Sequence, residues 1–174
     1  REVAIDPEML GKVFENLLDV SDRKSKGAFY TPREIVHYMC QESLVEYLVE
    51  KTSISEEAIR DFIYFGEFFK DEDTEKTLCV QDSTGKKHYE IDKEKDLFIS
   101  EDIFSFKKNV NRLSELDDLL KNVKVVDLAV GSGAFPLGML NEIVKARETL
   151  TAYLAIGMNN FQKKSFIAYG RKLY

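Results

Sequence analysis

Apolar positions recur at helical spacing through most of the chain and switch to a short, unbroken β-branched run once. Asp6 and Pro7 open a first helical pattern in which Met9, Leu10, Val13, Phe14, Leu17 and Leu18 share one face, which predicts a buried stripe. A polar stretch, Ser21-Asp22-Arg23-Lys24-Ser25-Lys26-Gly27, then reads as a solvated loop. Thr31, Pro32 and Glu34 form a capping box, predicting a helix to about Lys51 that buries Ile35, Val36, Met39, Leu44, Val45, Leu48 and Val49. Ser53 with Glu56 starts another, through Ile59, Phe62 and Ile63 toward Gly66.

Beyond Lys70 the chain is heavily charged, and Thr77–Val80 and His88–Ile91 flank Asp82-Ser83-Thr84-Gly85, the pattern of a hairpin. Ser100–Lys121 reads as helical. Val123-Lys124-Val125-Val126-Asp127-Leu128 is the β-branched run, predicting a buried strand. Gly131-Ser132-Gly133 breaks it, and Pro136 opens a helix with Leu137, Leu140, Ile143 and Val144 on one face. Thr149–Tyr174 reads as mixed apolar and basic helix.

Composition narrows the classes. The sequence has 174 residues, 44% of them hydrophobic, with only three prolines, which fits a packed domain or part of a larger one. No run approaches the roughly 20 apolar residues that span a bilayer, and Arg1-Glu2-Val3 has no signal region, so the expectation is no membrane contact and a cytoplasmic location. Cys40 and Cys79 lack metal-ligand spacing, so no metal is expected. The net charge of −6 is opposite to the footprint of a phosphate-binding surface; contact with nucleic acid falls mainly to something outside this chain.

A glycine turn between strand and helix presents backbone amides and the positive helix end to an anion. A dinucleotide fingerprint fails because Pro136 occupies the place of its third glycine, and a P-loop fails because Met139 and Leu140 stand where Lys and Ser/Thr belong. Asp127-Leu128-Ala129-Val130-Gly131-Ser132-Gly133-Ala134-Phe135 resembles motif I of S-adenosylmethionine-dependent methyltransferases. Gly27-Ala28-Phe29-Tyr30-Thr31-Pro32 is similar to their motif X. The order, motif X first, resembles the gamma-type DNA adenine-N6 methyltransferases of restriction-modification and related phage-defence systems. The flanks Gly11–Leu18 and Pro136–Leu140 look like their large members. Leu128 departs from the proline common there, and the 97 positions from Tyr30 to Asp127 suggest an insert.

The resemblance implies S-adenosylmethionine as cofactor, with Phe29, Tyr30, Thr31, Asp127, Ala129, Gly131, Gly133 and Phe135 around it. Gly131 and Gly133 would admit the methionine portion, amides near Ala134 and Phe135 would meet its carboxylate, and Asp127 its ammonium. It also implies an α/β fold, with a helical arm carrying motif X (1–51), an inserted helical and hairpin subdomain (52–120) and the first β-α unit of a Rossmann-like methyltransferase domain (121–174). DNA is the implied partner, reached through the full-length protein. No Asn/Asp-Pro-Pro-aromatic block, which would hold the flipped adenine, occurs in the sequence. The chain therefore reads as a fragment with part of the cofactor site and no catalytic residue.

The same residues admit plainer roles. Thr31-Pro32-x-Glu34 is a capping signature in itself, Asp127 serves equally to cap the glycine turn, and Phe135 to fill a core. His37 and His88 read as surface or satisfied core residues. A non-enzymatic helical interaction module therefore stands beside the enzyme.

Overall fold

The computed structural model describes residues 11–13, 16–17, 31–92, 97–100 and 105–157. The described residues are mostly helical: α1 (Arg33–Lys51), α2 (Glu56–Phe65), a 3-10 turn (Gly66–Phe69), α3 (Glu72–Leu78), β1 (Cys79–Gln81), β2 (Lys87–Asp92), β3 (Leu97–Ser100), a second 3-10 turn (Ser105–Lys108), α4 (Val110–Asn122) and α5 (Ala134–Gly157). Two compact units divide the chain, one of Arg1–Ser43 with Lys124–Glu142, the other of Leu44–Val123 with Ile143–Tyr174. Among the described residues no helix is long and apolar enough to cross a membrane.

The second unit holds most of the core. α2 starts where the Ser55 side chain accepts from the Ala58 amide at 3.4 Å, so Ser55 is the cap in place of the expected Ser53. Thr52 closes the preceding helix by donating to the Leu48 carbonyl. Ile59, Phe62 and Ile63 are buried, as their spacing predicts. Phe62 meets the edge of Phe106 at 6.0 Å and lies 6.3 Å from the Tyr153 ring. Each such side chain removed from water contributes about 1.5–3 kcal/mol.

The hairpin forms, but its first strand is shifted from the expected Thr77–Val80: Thr77 and Leu78 end α3, which Asp71 caps, and β1 begins at Cys79. Cys79 pairs with Tyr89 and Gln81 with Lys87, and one Asp82 oxygen accepts from Thr84 Oγ1 and from the amides of Thr84 and Lys86. Gly85 takes a positive φ of 84°, which glycine adopts without steric cost. A third strand, not anticipated, pairs antiparallel with β2, with Ile91 as an extra residue between the Glu90–Phe98 and Asp92–Leu97 pairs. Ser100 thus ends a strand, so the expected continuous helix from Ser100 is corrected: α4 begins only at Val110, where Asn109 accepts from the Arg112 amide. Lys107, in the second 3-10 turn, has only 10% of its side chain exposed. It pairs with Glu75 and faces the Tyr153 ring at 4.8 Å.

In the first unit, residues 11–13 and 16–17 are helical, but Val13 and Leu17 are exposed and so do not form the expected buried stripe. α1 starts one residue later than the capping box requires. Pro32 offers its carbonyl to the amides of Ile35 and Val36, so it takes the cap position assigned to Thr31. The buried face is Val36 and Cys40, continued by Leu44, Val45 and Leu48, while Ile35 and Met39 lie half exposed. The expected buried strand at 123–128 is also corrected. The segment has no ladder, and Val126 and Leu128 are 79% and 96% exposed. Among the described residues of this unit no other extended segment stands beside it, and a strand without a neighbour leaves its backbone groups to water.

Candidate cofactor site

The glycine turn of residues 127–133 is built by its own backbone. Asp127 bends back so that Oδ1 accepts from the Ala129 amide at 2.9 Å, and the Gly133 amide donates to the Val130 carbonyl at 2.8 Å. Gly131 and Gly133 have φ of +52° and +88°, in the left-handed region that an L side chain enters at a cost. Among the described residues the space in front of both is open: a Cβ on Gly133 would meet none of them within 4 Å, and one on Gly131 would meet the Ala129 carbonyl at 3.7 Å. No described side chain stands between a ligand and this backbone, which is the fit that a bound cofactor requires.

The Gly133 carbonyl accepts from Leu137 at 3.1 Å and so opens α5 two residues before the expected start at Pro136. Pro136 falls within the first turn, where its missing amide costs nothing. Ala134 and Phe135 are left as the amide donors of that turn, at the positive end of a 24-residue helix. The buried side of α5 is not the expected Leu137–Leu140 face, since Leu140 is half exposed. It runs instead through Gly138, Glu142 and Ala146 to Thr149, Leu150, Tyr153 and Leu154. A stripe containing glycine, glutamate and threonine has no apolar period to read.

Of the residues expected around the cofactor, Asp127, Ala129, Gly131 and Gly133 lie on this one turn, and Phe135 follows in the first turn of α5. Thr31 lies two residues before α1 in the same unit. Phe29 and Tyr30 lie outside the described residues. One oxygen of Asp127 is committed to the turn, which realises the plainer of its two roles; Oδ2 takes no part in that bond.

The first halves of α1 and α5 pack closely. Val36 lies against Gly138, where an added Cβ would stand 2.7 Å from Val36 Cγ1. The Cys40 thiol points at the Phe135 carbonyl at 3.8 Å; burial first, and the Glu142 carboxylate second, push its pKa up. His37 is not an isolated surface histidine. Its Nδ1 lies 2.7 Å from Oε1 of Glu142, a carboxylate only 5% exposed, and Gln41 donates to the other oxygen at 3.1 Å. Arg33 Nε donates to His37 Nε2, so the proton on the ring sits at Nδ1, facing Glu142. These residues were missed because the signal was weak: Arg33, His37 and Gln41 recur at four-residue spacing, which on a helix resembles an ordinary solvated stripe.

No family model matches the chain, and no solved structure does. It is similar to a Methanocaldococcus jannaschii protein whose name provisionally describes a type II restriction enzyme and methyltransferase, at 26% identity over 166 residues. That alignment takes in 94% of this chain and 12% of the relative, so the chain spans about one eighth of the length of the protein it matches.

Proposed function

We propose that this chain is the cofactor-binding N-terminal part of a DNA methyltransferase of a restriction-modification system, transferring a methyl group from S-adenosylmethionine to adenine N6. The observation that carries the reading is the turn at 127–133, with two left-handed glycines, no described side chain in front of them and a long helix starting at Ala134. The archaeal relative named for restriction and methylation supports it. When bound, S-adenosylmethionine supplies an electrophilic methyl group on sulfur. The chain's own part is to bind and orient it: the amides of Ala134 and Phe135 receive the carboxylate, and Asp127 Oδ2 the ammonium. Gly131 and Gly133 keep side chains out of the approach, and Phe29, Tyr30 and Thr31 close over the same end.

In this reading residues 123–127 are the first strand of a Rossmann-like sheet whose other strands lie outside the chain. The exposure of Val126 and Leu128 fits that assignment, since a central strand is apolar on both faces. The groups that hold the flipped adenine also lie outside it, so the chain alone transfers no methyl group. The same exposed side chains favour the second reading, a helical module that docks on a protein partner.

Calorimetric titration of S-adenosylmethionine and S-adenosylhomocysteine into this chain and into the full-length protein, each with Gly133→Asp, separates the two. Binding that the substitution abolishes supports the methyltransferase. Absence of binding in both proteins overturns it in favour of the interaction module. Nucleoside analysis of DNA incubated with the full-length protein and S-adenosylmethionine then tests the base: N6-methyladenine is expected, and a methylated cytosine alone refutes the adenine assignment.

A further inference from the structure

A turn that binds one end of a ligand is useful only if the residues closing over that end stand at a fixed distance from it. The first unit contains a device for this. Val36 and Gly138 bring α1 and α5 nearer than any side chain at 138 permits: a Cβ there would fall 2.7 Å from Val36 Cγ1 and 3.4 Å from Cys40 Sγ. Val36 is 4% exposed and β-branched, so in a helix it has essentially one rotamer and cannot swing aside. One turn further along α5, Glu142 is buried and accepts from both His37 and Gln41, which stand one turn apart on α1. A buried carboxylate loses much by leaving its donors, so these two bonds resist sliding or separation of the helices. Arg33 holds the far nitrogen of His37 and thereby orients the ring.

We propose that the Val36–Gly138 approach, together with Glu142 held by His37 and Gln41, is a positioning device that fixes the start of α1 against the glycine turn before α5. It thereby sets the affinity for S-adenosylmethionine. The inference rests on the cofactor reading above and adds to it a set of residues that touch no ligand. Gly138 is the spacer, Val36 the stop, and Glu142 the lock. Displacing a helix start by a fraction of an ångström is enough to weaken a preorganised site.

The test titrates S-adenosylmethionine into the full-length protein and its variants, with thermal unfolding measured in parallel. Gly138→Ala should weaken binding by about tenfold or more, because the new methyl must push Val36 away. Gly138→Ala with Val36→Ala makes room again, and should recover affinity to within about threefold while remaining less stable than the wild type, since it also loses a buried valine. Near wild-type affinity in a variant that stays less stable than the wild type separates positioning from a role in folding alone, which would lower both together. Glu142→Ala should weaken binding similarly, and Glu142→Gln, which still offers an oxygen to His37, should restore much of it.

Wild-type affinity in Gly138→Ala and Glu142→Ala overturns the device and leaves the cofactor site standing. Failure of Val36→Ala to rescue Gly138→Ala also overturns it. A wild-type protein that binds no S-adenosylmethionine removes the cofactor reading, and the device with it.

Discussion

The Tyr153 hydroxyl donates to the Gly66 carbonyl at 2.8 Å, joining two residues 87 positions apart within the larger unit. Tyr153 is 1% exposed, and burial, followed by the nearby Glu75, pushes its phenol pKa well up, so it remains a donor throughout the useful pH range. Gly66 leaves room for it: a Cβ there would stand 3.3 Å from the tyrosine oxygen. Tyr153→Phe keeps the ring beside Phe62 and beneath Lys107 but removes this buried hydrogen bond. The expected loss is about 1 kcal/mol in urea unfolding. An unchanged midpoint would show that the carbonyl finds another donor.

Gly131→Ala and Gly133→Ala should each cost about 1–2 kcal/mol, through the left-handed backbone and not through crowding, because no described residue crowds a Cβ at either position. Gly85→Ala, with φ of +84° in the hairpin, is the matched control. It should cost a similar amount while leaving S-adenosylmethionine affinity unchanged, whereas the other two reduce it. Equal affinities in all three variants would separate the turn from the cofactor.

Asp61 is pushed up to about 6, by burial first and by Glu57 one turn earlier second, with Arg60 opposing. The folded chain therefore holds a proton on Asp61 that the unfolded chain releases near 3.8. Stability contributed by this group is fully present below the unfolded value. It falls as the pH rises toward 6 and then levels off. Asp61→Asn should raise the unfolding midpoint at neutral pH and flatten the profile between those values. A variant less stable than the wild type at pH 7 would contradict this.

Lys107 is nearly enclosed, between Glu75 and the rings of Tyr153 and Phe69. Lys107→Met keeps the aliphatic stem and leaves Glu75, itself 31% exposed, without its cation, at a cost of about 2 kcal/mol after allowing for solvent at Glu75. Lys107→Met with Glu75→Gln should cost less than the sum of the two singles in chemical unfolding, because each removes the other's reason for being charged. Strict additivity would show that the pair contributes nothing beyond packing.

Local sequence determined the local structure. Asp82-Ser83-Thr84-Gly85 specifies a turn because the aspartate caps it and the glycine supplies the φ. The chain about Lys51 stops being helical where the sequence says, and Asp127 with Gly131 and Gly133 encodes a turn that closes on its own backbone. Each of these depends on bonds between residues a few positions apart, which is why it is legible without the fold.

Tertiary structure decided the rest. β3 exists because β2 offers it an edge. Residues 123–128 carry the composition of a buried strand yet lie exposed, since burial of a strand is a property of its neighbours. The buried side of α5 is set by what packs on it, so Gly138, Glu142 and Thr149 are buried while Leu140, on the face the apolar pattern marks, lies half exposed. The pairing of His37 with Glu142 spans 105 positions and rests on two helices meeting at a glycine, a relation that spacing along one chain does not encode.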